Sequence, residues 1–153
     1  MYKNNINEEG YLKVKIINNT PWDDPEYKTP LSSGCDLRAN IPTSILLAPN
    51  KRITIPTGIS VRIPAGFEGQ VRGRSGLDFN HDITNHTGTI DADYTGEIKV
   101  RLSNDSDDIF EIHPGDRIAQ LVFAPVVQAI FEPVESIEPT VRGSRGFGST
   151  GLK

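Results

Sequence analysis

The stretch GTIDADYTGE, residues 88–97, sets two aspartates either side of one alanine and follows them with a tyrosine. Three kinds of chemistry use carboxylates so spaced: a calcium loop, a general base beside a structural neighbour, or a turn whose side chains bond local backbone. The calcium reading places Asp91, Asp93 and Thr95 at loop positions 1, 3 and 5 and Gly96 at position 6, but Leu102 stands at position 12, where a bidentate glutamate is required. The residues after Gly96 also alternate as a strand, so no helix flanks the loop. A hairpin is the better expectation, with GTID a strand end, ADYTG the turn and EIKVRL the returning strand. At the lip of a cleft Asp91 could take a proton from water. Asp93 reads as a turn residue, and Tyr94 offers a flat apolar ring on which a sugar can rest. A solvated hairpin tip is the alternative.

Three further groupings could do chemistry. In VRGRSGL, Arg74, Ser75 and Gly76 combine a cation, a hydroxyl and a backbone open to close approach, which suits an anion as well as an ordinary turn. In HPGDRIAQLVFAP, Gln120 is a polar group inside an apolar strand; its partner is either a core hydrogen bond or a ligand phosphate. In SSGCDLRAN, Asp36 follows a Ser-Gly turn at a strand start, and Cys35, with no histidine near it in sequence, reads as a packing residue. The histidines, His81, His86 and His113, have no metal-ligand spacing, and neither CxxC nor HExxH occurs.

The elements that must position these residues have a period of two. Leu12, Val14 and Ile16 share one face of LKVKI, and Ile59, Val61 and Ile63 one face of ISVRI. Ile98, Val100 and Leu102 share one face of EIKVRLS, with Glu97, Lys99 and Arg101 on the other. RITI and RIAQLVFAPVV are further strands, the second apolar enough to be central. The 14 glycines and 11 prolines recur at short intervals, which marks many short strands joined by turns: an all-β sandwich or barrel. The best helical candidate is one or two turns after Ser75.

A chain of 153 residues suits one domain, and its net charge of −4 with no basic stripe argues against nucleic acid as a partner. A single cysteine excludes an internal disulfide. No signal-type or membrane-spanning apolar run is present, so a soluble cytoplasmic protein away from membranes is expected. The last residues, VRGSRGFGSTGLK, have the composition of a flexible tail, yet a linker has no need of a lone Phe framed by glycines.

Taken in order, SSGCDLRAN, GRSGL, GTIDADYTGEI, GDRIAQLV and RGSRGFGSTG resemble the five motifs of the trimeric deoxyuridine triphosphatases (dUTPases), over nearly the whole chain. The resemblance implies a β jelly-roll (distorted β-barrel) domain over residues 1–141 and a C-terminal glycine-rich lid over 142–153. It implies a homotrimer whose active sites are shared between subunits. The implied reaction is hydrolysis of dUTP to dUMP and pyrophosphate, which limits uracil in DNA and supplies dUMP for dTMP synthesis. Asp91 would activate the water that attacks the α-phosphorus. Uracil would meet the segment from Asn85 to Ile90, including Gly88 and Thr89, with Lys99 opposite. Tyr94 would lie under the deoxyribose. Arg74, Ser75, Gly76 and Gln120 would hold the triphosphate, joined by Arg142, Ser149 and Thr150 as the tail closes, with Phe147 on the base and Gly148 letting backbone approach. Mg²⁺ would bridge the phosphates, with Asp36 bonding its water shell. The chain departs from the family pattern at Gly73, where proline is usual, and at Arg145, where a third glycine is common. The competing assignments are a dCTP deaminase-type enzyme and a non-catalytic nucleotide-binding jelly-roll trimer. Tyr94 and the Phe-Gly-Ser-Thr tail favour the dUTPase over the first, and an intact Asp91 favours it over the second.

Overall fold

The structure is a computed structural model that describes residues 6–144. Its frame is set by the segment with the strictest alternation. EIKVRLSN forms β8 (Glu97–Asn104), and Ile98, Val100 and Leu102 along it are fully buried while Lys99 and Arg101 face out. Strand β8 pairs with β4 (Arg52–Arg62) on one side and β6 (Ile83–Asn85) on the other, and β1 (Lys15–Asn18) closes the far edge of this sheet. The second sheet runs β2 (Cys35–Arg38), β10 (Arg117–Pro125), β5 (Phe67–Arg72) and β7 (Gly88–Ile90) in that order, so the apolar β10 is central, as its composition predicts. A two-stranded pair, β3 (Ile45–Leu47) with β9 (Phe110–Ile112), completes the fold. Apolar side chains of both large sheets meet in one cluster that includes Leu37, Ile55, Ile63, Val71, Ile98, Ile118 and Leu121. The expected all-β, jelly-roll type of architecture is what these pairings make.

Three local expectations are corrected. RITI and ISVRI are one strand of 11 residues, β4, rather than two separated by a turn. The intervening Pro-Thr-Gly forms a bulge: Pro56 pairs with Lys99 and Ser60 with Glu97, so the register shifts between them. Side chains replace the ladder bonds lost there. Thr57 Oγ1 donates to the Ile98 carbonyl at 2.6 Å, and Gly58 N donates to Glu97 Oε1 at 2.8 Å. Gly58 has φ +69°, and a β-carbon there would lie 2.5 Å from Thr20, so glycine is required on both counts.

The hairpin expected around Asp91 does not form as such. Strand β7 pairs with β5 while β8 pairs with β4 and β6, so residues 91–96 cross from one sheet to the other. Each flanking strand must turn its apolar face to the same interior, and the two faces come from opposite layers. The ladder of LKVKI begins only at Lys15; Leu12 and Val14 pack against the core, while Ile16 and Ile17 on the edge strand β1 are exposed.

Helix α1 (Ser75–His81) is the short helix expected after Ser75. It ends at Asp82, which takes a left-handed conformation with φ 51°. None of its residues is fully buried; Leu77 packs against the core from its partly buried face, and the His81 ring lies 5.3 Å from that of Phe110. After β10 the chain runs without strand or helix from 126 to 144, and at its start Val126 N donates to the Gly66 carbonyl. Val127, Ile130, Phe131, Ile137 and Val141 on this arm are all exposed. Among the described residues no helix is long and apolar enough to cross a membrane.

Because Leu102 is fully buried between the sheets, Leu102→Ala should destabilise the fold by about 2–5 kcal/mol. A urea titration followed by circular dichroism checks this; a midpoint unchanged from the parent would contradict the assigned core.

Candidate active site

Two clefts carry the residues singled out by the sequence. The first lies where β2, β10 and the start of α1 converge, has a volume of about 470 Å³, and is lined by Ser33, Asp36, Arg74, Ser75, Arg117 and Gln120 among others. At its floor the Asp36 carboxylate sits between two guanidinium groups. Its Oδ1 lies 3.2 Å from Arg74 Nε, and its Oδ2 accepts from Arg117 Nη1 at 3.0 Å. Arg74 also donates through Nη1 to the Arg117 carbonyl at 2.9 Å. Three elements distant in sequence are thereby tied together, and Arg74 has a fixed orientation.

Gln120, opposite Asp36 in the β2–β10 ladder, donates Nε2 to the Gly73 carbonyl at 3.0 Å. Its partner is therefore the backbone just ahead of Arg74. Gly34 fits against it, since a β-carbon there would come within 2.8 Å of Gln120 Oε1. The first backbone bonds of α1 are made by Leu77 and Asp78 to the Arg74 carbonyl, which leaves the N–H groups of Ser75 and Gly76 at the helix start. A β-carbon on Gly76 would meet nothing within 4 Å. Packing inside the chain therefore does not demand this glycine; open room in front of the backbone is what it supplies. The arrangement suits a polyanion.

The second cleft, of about 300 Å³, is lined by Thr89, Ile90, Asp91, Tyr94, Glu97, Ile98 and Lys99. Tyr94 N donates to the Asp91 carbonyl at 3.1 Å, which closes the turn, and Tyr94 Oη donates to the Glu97 carbonyl at 2.9 Å. Gly96 lets the ring fold back so closely; a β-carbon there would lie 2.5 Å from the tyrosine oxygen. The Asp91 side chain is exposed at the mouth, and among the described residues its carboxylate enters no ion pair. A carboxylate held so, beside a flat ring and an exposed ammonium, can accept a proton from a bound water.

Asn85 stands apart from that cleft. It ends β6 opposite Leu102, and its side chain borders a third hollow shared with Gly73, Arg74 and Ser75. Both its amide oxygen and its amide nitrogen are buried without a partner. Such a group costs about 1–3 kcal/mol unless something else satisfies it, so the amide is suited to a ligand. Gly88 pairs with Val71 in the β5–β7 ladder. Arg142 lies on the exposed arm. Phe147, Gly148, Ser149 and Thr150 lie outside the described residues.

Two residues of the polyanion cleft carry more weight than their sequence context suggests. Arg117 is the second holder of Asp36, 81 positions away along the chain. Lys28 lines the same cleft from an irregular segment that no periodicity marks. Among the described residues no group of three His, Cys, Asp or Glu side chains could hold a metal ion. Asp36 is the one carboxylate lining the polyanion cleft, and both its oxygens face guanidinium groups. Cys35 beside it is buried, and its Sγ lies 3.5 Å from the Leu121 carbonyl.

The dUTPase family model matches residues 10–151. The chain is 57% identical over 130 residues to the deoxyuridine 5'-triphosphate nucleotidohydrolase of Chlamydia pneumoniae, covering 83% of this chain and 90% of that one. It is 50% identical over 133 residues to the enzyme of the same name from Maricaulis maris, covering 84% and 88% respectively. Among solved structures, a Staphylococcus bacteriophage 80alpha dUTPase mutant with dUpNHpp superposes with a TM-score of 0.82 at 26% identity, over 92% of this chain and 99% of that one.

Burial, more than any charge, pushes the Cys35 thiol up to about 11. Native protein at pH 8 should therefore resist alkylation by iodoacetamide, whereas protein in urea should be modified fully, as read by intact mass. Rapid modification of the native protein would contradict the placement of Cys35.

Proposed function

The chain belongs to the dUTPase family, and we propose that it hydrolyses dUTP to dUMP and pyrophosphate at a site assembled from three copies of itself. The observation that carries the composite site is the separation of its parts. Arg74, Ser75 and Gln120 line one cleft, Asp91, Tyr94 and Lys99 another, and the two linings share no residue. A nucleotide needs both at once. Neighbouring copies in a closed ring can bring the Asp91 cleft of one against the Arg74 cleft of the next. The exposed apolar arm from 126 to 144 supports this reading. Six large apolar side chains, Val134 included, on a segment without secondary structure call for a cover, and such an arm can reach a neighbour. The tail beyond it, with Arg142, Phe147, Gly148, Ser149 and Thr150, would close over the nucleotide from the third copy.

In this assembly uracil meets the segment from Asn85 to Ile90, chiefly the backbone of the Gly88–Ile90 strand, with Lys99 opposite. Edge backbone offers the donors and acceptors that uracil requires; cytosine presents the reverse at two atoms, which would leave buried groups unpaired. The Tyr94 ring packs under the sugar, where a 2′-hydroxyl would have no room. Arg74 grips phosphate oxygens while Asp36 and Arg117 hold it in place, and the N–H groups of Ser75 and Gly76 add donors. Asp91 takes a proton from a water as that water's oxygen bonds to the α-phosphorus. The bond from the α-phosphorus to the bridging oxygen breaks, and pyrophosphate leaves. Catalysis consists mostly of positioning and charge stabilisation.

Magnesium would be the cofactor. Its chemistry is to offset the charge of the triphosphate in an acidic protein. One carboxylate in the cleft and, among the described residues, no three-ligand cluster fit a cation that keeps its waters and travels with the phosphates. Each Asp36 oxygen has a second lone pair with which to accept from that water shell. A nucleotide-pool reaction of this kind belongs in the cytoplasm.

Asp91→Asn should lower the rate of pyrophosphate release from dUTP by about 10²-fold or more while nucleotide affinity is kept. The assay uses Mg²⁺ with dCTP, dTTP and UTP as controls. A variant with full turnover would remove Asp91 from its role, and deamination of dCTP by the parent would replace the reading altogether.

A further inference from the structure

The polyanion cleft holds a cation that neither Asp36 nor the helix start accounts for. Lys28 borders it together with Ser32, Ser33 and Gly34. Its segment is fixed beside β2, because Asp36 N donates to the Glu26 carbonyl at 3.4 Å. The following turn is fixed as well: Ser32 N donates to the Thr29 carbonyl at 3.1 Å, and the Thr29 and Ser32 hydroxyls lie 2.9 Å apart. The Lys28 ammonium is ion-paired with Glu26, and both side chains are largely exposed, at 43% and 62%. Glu26 does not line the polyanion cleft; it lines a neighbouring hollow to which Lys28 and Asp36 also belong. That ammonium holds the Glu26 carboxyl below its ordinary range.

Charge within the cleft is unevenly committed. Asp36 alone faces Arg74 and Arg117, so its single negative charge is shared by two guanidinium groups. Among the described residues Lys28 is ion-paired only with Glu26, which does not line the cleft. An exposed lysine–carboxylate pair is worth little, about 0–1 kcal/mol, whereas a multiply charged phosphate offers more charge to the same ammonium. Lys28 has a flexible four-carbon stem and three donors, so it can exchange partners without moving the backbone.

We propose that Lys28 is a further phosphate-binding residue: when a triphosphate enters, its ammonium leaves Glu26 for a phosphate oxygen at the rim of the Asp36–Arg74–Arg117 cleft. Glu26 is then a competitor that restrains Lys28 in the empty site. The inference rests on the dUTPase reading above, and its test separates the two. Initial rates of pyrophosphate release are measured for the parent, Lys28→Met, Lys28→Arg, Glu26→Gln and the Lys28→Met/Glu26→Gln double variant. Lys28→Met should raise KM for dUTP about five- to tenfold, and by more than it lowers kcat. Lys28→Arg should restore most of the loss. Glu26→Gln should lower KM about twofold, and this gain should vanish when Lys28 is already methionine. An unchanged KM in Lys28→Met overturns the proposal. So does a Glu26→Gln effect of equal size in both backgrounds, because a general change of field needs no lysine. If the parent releases no pyrophosphate from dUTP, the dUTPase reading fails. Lys28 is then tested by calorimetry with inorganic pyrophosphate, where binding equal in parent and Lys28→Met would overturn it. Thermal midpoints within a few degrees of the parent exclude misfolding as the cause.

Discussion

Opposite charges that must both reach one triphosphate have to be kept from neutralising each other. A carboxylate that must act as a base would, beside a phosphate-gripping arginine, pair with it and lose that use. This fold answers by giving each charge a separate station. Asp36 engages Arg74 and Arg117, which orients the arginines. Asp91 sits in another cleft, between β7 and β8, where no described cation pairs with it. The residue types alone do not distinguish these two aspartates. Their neighbours do.

The separation has a structural cause. Residues 91–96 pass from the sheet of β7 to the sheet of β8, so the Asp91 turn is held by both layers at once. The β4 bulge supports it from behind: the Glu97 side chain accepts from Gly58 N while its carbonyl accepts from Tyr94 Oη. On the other cleft, β2 and β10 present Asp36 and Gln120 as cross-strand neighbours, and β5 delivers Gly73 and Arg74 to them. Strands thus carry Asp36, Gln120 and Lys99, and short connections fixed between elements carry Arg74, Asp91 and Tyr94, which is what a preorganised electrostatic site needs.

Much of this was legible in the sequence, and what was not has a physical reason. The alternation in EIKVRLS and the apolar run RIAQLVFAP identify β8 and β10, because burial on one face or both imposes those patterns directly. The short helix after Ser75 was legible from its lead-in. The β4 bulge was not: Pro-Thr-Gly has the chemistry of a turn, and only Thr57, Glu97 and the distant Ile98 carbonyl keep the strand continuous. The Asp91 crossing looked like a hairpin because pairing partners far along the chain leave no local mark. Gln120 inside an apolar strand needs a partner on its sequence alone, but the Gly73 carbonyl that supplies one is 47 positions away. Lys28 carries no local signal for the same reason: charge on an irregular segment acquires meaning only from what folds against it.

The central claim is that the Asp91 and Arg74 of one working site come from different copies of the chain. Subunit mixing tests it most directly. Asp91→Asn and Arg74→Ala proteins, each nearly inactive alone, are unfolded together, refolded and assayed for pyrophosphate release from dUTP. Random assembly should place an intact Arg74 next to an intact Asp91 at about a quarter of the sites, with activity recovered to match. A mixture no more active than its two components, with assembly verified by mass, would contradict the shared site.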